Sequence, residues 1–142
     1  MVLVDSSIWI EAARRNGDIA VKVALEGLLE EYEATLCPPV RLEVLGGARA
    51  PERRLLSHAF SVLPWVEVTP DTWRRAVDHC WRLHDGGLSV PWNDLLIASV
   101  AVERGCRIYA RDHHFDLMKP VLGLALYEPG YGGAFAPEAA EP

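Results

Sequence analysis

A chain of 142 residues, half of them hydrophobic and 24% charged, is long enough for one domain that buries roughly two-thirds of its unfolded surface. Its longest apolar run, 95–102, is too short to span a bilayer. The start MVLVD lacks the segments of a secretory leader, and Cys37, Cys80 and Cys106 are too scattered for a disulfide framework or a zinc knuckle. The expectation is a reducing, cytoplasmic setting without membrane attachment, and a net charge of −6 speaks at first sight against a nucleic-acid partner.

In chain order, MVLV (1–4) reads as a short apolar strand and SSIWIEAARR (6–15) as a helix closed by Asn16-Gly17. Asp18 can cap a second helix, running to about Tyr32, with Ile19, Val23, Leu25, Leu28 and Leu29 inward. ATLC (34–37) is a second strand. Pro38-Pro39 opens a helix, where a missing N–H costs nothing, and Gly46-Gly47 closes it. A helix over 51–63 and a strand WVEV (65–68) follow. Pro70-Asp71 begins a helix with Trp73, Val77, Cys80 and Trp81 on one face. A loop leads to a helix from Asn93 that is apolar almost all round, hence buried. RIYA (107–110), a helical turn or two in RDHHFDLM, and LALYE (124–128) complete the pattern.

Strands alternating with helices predict an α/β domain over 1–128, with a parallel central sheet of four to five short strands flanked by helices. The tail 129–142, rich in Ala, Pro, Gly and Glu, reads as disordered. In open parallel sheets ligands bind at the carboxyl ends of the strands. Asp5 follows the first strand, Glu43 lies in the helix after the second, Asp112 and Asp116 follow RIYA, and Asp94 opens the helix before it. Each acid alone has a plain reading as a helix cap or a solvated residue. Together they map to one sheet edge. Gathered without a counter-ion they would repel. Oxygen-only donors suit Mg²⁺, with Mn²⁺ as substitute, and such sites hydrolyse phosphate esters.

Charge distribution fits this. Discounting Glu138 and Glu141 in the tail leaves −4, and five acids in one site would leave the remaining surface at +1. Twelve of the 14 basic residues are arginine, whose fork matches phosphate. Arg49, Arg53 and Arg54 form a basic cluster that can meet an RNA backbone or serve as a solvated face. Trp92, in the loop before Asp94, is the best candidate to stack on a base, against packing under the loop. Trp9, Trp65, Trp73 and Trp81 suit a core or an interface better. Adjacent His113 and His114 should diverge by about 100° on a helix, which argues against zinc there.

Four stretches, LVDSSIWI, RLEVLGG, GGLSVPWNDLLIASVAVERG and RDHHFDL, carry a resemblance to PIN-domain ribonucleases, specifically VapC-like toxins of type II toxin–antitoxin pairs. It covers roughly residues 1–128. The resemblance implies an Mg²⁺-dependent endoribonuclease in which Asp5, Glu43, Asp94 and Asp112 are catalytic and bind metal. Asp116 corresponds to a further metal-binding acid. Ser7 corresponds to a small polar residue that orders the site, and Asn93 is placed to support it. The products implied are a 3′-hydroxyl and a 5′-phosphate, with an RNA substrate, a cognate antitoxin and a homodimer as partners. Where the family often has Thr or Ser two positions before the fourth acid, this chain has Ala110. The alternatives are another metal-dependent phosphohydrolase or DNA nuclease, and a non-catalytic partner-binding module whose acids are caps.

Overall fold

The computed structural model describes residues 1–130. Three parallel strands, β1 (Val2–Val4), β2 (Ala34–Thr35) and β3 (Arg107–Tyr109), lie in the order β2-β1-β3. The register pairs Val2 with Ala34 and Arg107, and Leu3 with Thr35 and Ile108. Seven helices surround them: α1 (Ser6–Ala13), α2 (Ile19–Glu30), α3 (Pro38–Gly46), α4 (Ala50–Ser61), α5 (Pro70–Asp85), α6 (Trp92–Arg104) and α7 (His113–Leu122). Strand β1 is central and covered on both faces, which is why it reads as an unbroken apolar run. Its side chains alternate between two half-cores. Leu3 joins Leu36, Ile97, Val100 and Ile108 on one side, and Val2 and Val4 join Ile8, Val21, Leu25 and Tyr109 on the other. Burying each aliphatic side chain there contributes about 1.5–3 kcal/mol.

The sheet is smaller than the four to five strands expected. The segments at 65–68 and 124–128 each make one isolated parallel bridge, Leu36 to Trp65 and Ile108 to Leu126. They extend the sheet at both margins. At an edge only one side of a strand has a partner, so two or three residues do not propagate a ladder.

Helix α2 is rotated from its expected phase. In α2 the buried stripe is Val21, Ala24, Leu25 and Leu28, whereas Ile19 and Val23 are exposed. Positions 19 and 23 each lie two residues from Val21, on the far side of a 3.6-residue turn. In α5 the inward stripe is Thr72, Ala76, His79 and Leu83, leaving Trp73, Val77 and Trp81 outside. His79 is accommodated because its Nδ1 lies 2.9 Å from Ser99 Oγ, which donates to Leu95 O. Helix α6 is buried along most of its length, as its composition predicts. It ends at Gly105 with φ 65°, a left-handed C-cap that turns the chain into β3. The segment 131–142, most of the expected disordered tail, lies outside the described residues. Among the described residues no helix is long and apolar enough to cross a membrane.

Candidate active site

Right-handed crossovers bring several helix N-termini to the carboxyl edge of the sheet. Asp5 leaves β1, its N–H still bonded to Tyr109 O at 2.9 Å, and becomes the N-cap of α1. Its Oδ2 accepts from Ser7 N at 3.1 Å and from Ser7 Oγ at 2.6 Å. Asp112 leaves β3 and caps α7 in the same way, Oδ1 accepting from His114 N at 3.0 Å. Asp94 sits in the first turn of α6 without capping it. Helix N-termini offset part of the negative charge gathered there. Ser6 is the first residue of α1, because Asp5 itself takes the cap position.

Asp5, Glu43 and Asp94 each offer an oxygen, and the three atoms lie within 4.8 Å of one another. Asp5 and Asp94 are buried while Glu43, projecting from α3, is exposed. Asn93 donates to Pro39 O at 3.3 Å and also to Glu43 Oε1, tying α6 to α3. Ser7 accepts from Arg111 N–H at 2.9 Å while donating to Asp5. One hydroxyl thereby links the first acid to the loop that carries Asp112. Asp116 is exposed and belongs to neither cluster of possible metal donors; it lines a neighbouring groove with Asp18, Arg111 and Asp112.

Electrostatics record the crowding. Burial raises the Asp5 carboxyl above its ordinary value, opposed by the Ser7 hydrogen bonds and reinforced by Glu43 and Asp112. Burial, followed by hydrogen bonding to Asp112 and the charges of Asp112 and Asp5, pushes Asp94 up to about 7. At Asp112, burial acts upward but is outweighed by the His114 N–H and by the proton that Asp94 contributes, so its net direction is down. The two carboxyls are thus driven apart in proton affinity, Asp94 upward and Asp112 downward. Asp5 Oδ1 is buried and has no hydrogen-bond partner. A buried, unpaired carboxylate oxygen is costly, and a divalent ion held with Glu43 and Asp94 would satisfy it. The donor set fits Mg²⁺ or Mn²⁺ on that ground.

Histidine is nearer the site than helical spacing suggested. His113 and His114 are the first two residues of α7, and their rings lie 4.2 Å apart at 34°. His114 Nδ1 is 2.7 Å from Asp112 Oδ1 and 3.2 Å from Asp94 Oδ2. The sequence offered one signal for this, a histidine two residues past a capping aspartate. The arginine cluster is less free than expected. Arg49 pairs with Glu52 at 2.7 Å, and Arg53 Nε donates to Ala48 O at 3.0 Å, while Arg54 is exposed on α4. Trp92 is 73% exposed and shares a groove with Trp73 and Trp81, which puts it beside apolar neighbours.

Residues 2–119 match the family model described as PIN domain. Two curated relatives, VapC ribonuclease Mb1587 of Mycobacterium bovis and ribonuclease VapC11 of Mycobacterium tuberculosis, are each 33% identical over 129 residues, covering 87% of this chain and 96% of theirs. Among solved structures, FitAcB from Neisseria gonorrhoeae superposes with a TM-score of 0.74 at 16% identity, over 91% of this chain and 98% of that one. VapBC2 from Rickettsia felis, bound to a DNA fragment from its promoter, gives 0.71 at 21% identity, over 89% and 97%. The match along 2–119 and the identity with the mycobacterial proteins agree with a parallel sheet flanked by helices, and the chain belongs to the PIN-domain family, on its VapC-ribonuclease branch.

Proposed function

We propose that this protein is a metal-dependent endoribonuclease, the toxin of a toxin–antitoxin pair, hydrolysing RNA at the edge where Asp5, Glu43, Asp94 and Asp112 converge. The observation that carries the reading is Asp5 Oδ1, buried and unpaired beside Glu43 and Asp94. When bound there, Mg²⁺ or Mn²⁺ supplies a water of lowered pKa and offsets charge on the phosphate. The chain's own residues do the rest. Ser7 fixes Asp5 through Oδ2 and leaves Oδ1 facing the site. Asn93 engages Glu43 at Oε1 and so holds its carboxylate at the edge, where it would accept a proton from an attacking water. A cation held at the edge would favour the ionised form of Asp94, whose carboxyl burial otherwise pushes up to about 7. The products expected are a 3′-hydroxyl and a 5′-phosphate.

The binding-module alternative has one observation behind it, since Asp5 and Asp112 do cap helices. Capping uses Asp5 Oδ2 alone, however, and does nothing for Asp94. Proposed partners are RNA, an antitoxin that sends a basic side chain into the acidic edge, and a second copy of the chain. The expected dimer surface is the apolar face of Trp73, Val77, Trp81 and Trp92, each about half exposed or more. Curated relatives that carry the VapC ribonuclease name support the substrate class, and the VapBC complex among the structural neighbours supports the partner. Incubating the full chain with total RNA in Mg²⁺ or Mn²⁺, against EDTA, tests the proposal. Cleavage in EDTA equal to that in metal would refute it.

A further inference from the structure

Outside the carboxyl edge, a groove of about 310 Å³ runs between α2, α7 and the segment 126–129. Its lining is apolar at Phe115, Leu126 and Tyr127 and charged at Asp18, Arg111 and Asp116. Asp112 lines it too, so the groove and the edge are continuous. Among the described residues Arg111 is the one cation in that lining. Its guanidinium is loosely engaged: Nη1 lies 3.5 Å from Glu11 Oε1 and 3.4 Å from Asp18 Oδ2, and the side chain is 48% exposed.

We propose that Arg111 binds a phosphate of the RNA strand next to the scissile one and directs the attached nucleoside into this groove. This rests on the nuclease reading and adds to it the path of the strand. The plainer account makes Arg111 a surface clasp between its loop and the turn before α2, and three observations weigh against that. The loop is already tied to α1 by the Arg111 backbone N–H, which donates to Ser7 Oγ at 2.9 Å, so the side chain is not needed for it. Exposed ion pairs of such length hold little. Second, both contacts use Nη1, and among the described residues Nη2 and Nε make no hydrogen bond, which leaves an open face of the fork. Third, the arginines first expected to meet RNA are engaged elsewhere, Arg49 with Glu52 and Arg53 with Ala48 O. Arg111 immediately precedes Asp112 and is placed where they are not.

Charge fixes which part of the nucleotide goes where. A phosphate pushed into the groove would meet Asp18, Asp116 and Glu128 with no cation but Arg111 to offset them. A base is neutral and planar, and its N–H groups suit carboxylate acceptors. The backbone therefore stays at Arg111, and the base lies against Phe115 and Tyr127, where an aromatic wall can stack on any base. Tyr109 and Tyr127, both in the lining, each keep a buried hydroxyl without a hydrogen-bond partner, so the groove is more than a gap in apolar packing. Phosphate wins the guanidinium from Glu11 and Asp18 because it offers two parallel hydrogen bonds to the fork. The two carboxylates hold Arg111 in waiting and release it when the strand arrives.

The test is cleavage of a single-stranded RNA by the full chain in Mg²⁺, with KM and kcat measured over a series of salt concentrations. Arg111→Ala should raise KM about tenfold, the loss of one charge-assisted contact, with kcat much less affected. The slope of log KM against log salt should fall by about 0.7, the share of one phosphate on a single strand. Arg111→Lys should keep the wild-type slope, since it keeps the charge. Glu11→Gln separates the proposal from the clasp: it should lower KM by freeing the guanidinium, and should do nothing in the Arg111→Ala background. Should Arg111→Ala not fold, Arg111→Gln and Glu11→Gln decide. An unchanged KM and slope in the Arg111 variants overturn the phosphate contact. So does a fall in kcat alone, or a Glu11→Gln variant that raises KM as Arg111→Ala does. In each of these cases cleavage by the wild type leaves the nuclease reading standing. A wild-type chain that cleaves no RNA removes both.

Discussion

Two regions of this molecule invert the usual distribution of side chains, in opposite senses. At the carboxyl edge of the sheet, Asp5 and Asp94 are 2% and 6% exposed. On the outer face of α5, Trp73 and Trp81 are 58% and 62% exposed. Charged groups are seldom buried unless paired, and large apolar patches are seldom left in water. Each region is incomplete alone, and the missing partner differs in kind. The edge calls for positive charge, small enough to sit between carboxylates. The α5 face calls for apolar area, supplied by another protein surface. The edge is also built on the rigid frame, through helix N-termini and the last residues of β1 and β3. Tryptophans on α5 sit instead on the outer face of a helix that supplies none of the edge's carboxylates, so they can be altered without removing a donor.

Substitutions separate the two regions. Asp94→Asn should show the largest effect, a loss of RNA cleavage of at least about 100-fold, with the oligomeric state unchanged. Cleavage at wild-type rate would dissociate the activity from this edge. Trp73→Asp with Trp81→Asp should do the opposite, weakening self-association by about 30-fold, the effect of truncating one good interfacial anchor. Sedimentation over a concentration series measures it. A wild-type chain that stays monomeric throughout would show that the tryptophan face serves a different partner.

Much of the edge was legible in the sequence because order along an α/β chain fixes position. An acid directly after a buried strand has little choice but to stand at the carboxyl edge, and this placed Asp5 and Asp112. Asp94 followed from the apolar helix behind it, whose burial fixes its first turn. Side-chain partnerships were not legible. Ser7 bridging Asp5 to the amide of Arg111 spans 104 residues of chain, and no local pattern encodes it. His114 was judged by helical spacing, which describes the middle of a helix and fails in a first turn where a capping carboxylate draws side chains back. On α5 two stripes compete for the core. Tryptophans and valine at i, i+4 and i+8 make the more conspicuous stripe, yet Thr72, Ala76, His79 and Leu83 pack inward. The small residues allow α5 to approach α6 closely, and Ser99 supplies the partner that lets a histidine stay inside. The segments at 65–68 and 124–128 read as full strands because apolar pattern does not reveal whether a strand has one neighbour or two.

Burial of acids also sets the pH behaviour of the empty edge. The folded chain holds the Asp94 proton up to about 7, against 3.8 for the free side chain. Between those values the folded state binds more protons than the unfolded one, so stability falls as pH rises through the window. Below 3.8 both states are protonated and the penalty is absent. Asp94→Asn removes it, and in EDTA at pH 8 the variant should melt about 4–6 °C higher, corresponding to about 1–2 kcal/mol once solvent in the cleft is allowed for. At pH 3.5 the two should melt together. A variant that melts lower at pH 8 would assign Asp94 a structural role. Replacing Trp73 and Trp81 with alanine instead gives a contrast, because no titrating group is removed or introduced and the melting shift should not depend on pH.

The smallest effect concerns how firmly the edge is assembled. Ser7 Oγ donates to Asp5 Oδ2 at 2.6 Å and accepts from Arg111 N–H at 2.9 Å, whereas the Ser7 N–H to Asp5 bond does not involve the hydroxyl. Ser7→Ala therefore removes two hydrogen bonds and keeps the cap. Loss of stability should be about 1–2 kcal/mol, one modest contribution for each bond. The catalytic effect should exceed what that loss explains, since Asp5 would be held by the Ser7 N–H alone and α1 would lose its link to the loop bearing Asp112. A drop of about tenfold in kcat with KM for RNA little changed is the expected pattern, and Ser7→Thr should restore most of it by returning the hydroxyl. If Ser7→Ala lowers only the melting temperature, and Thr restores only that, the hydroxyl holds the fold together at this corner and Asp5 is oriented by its backbone alone.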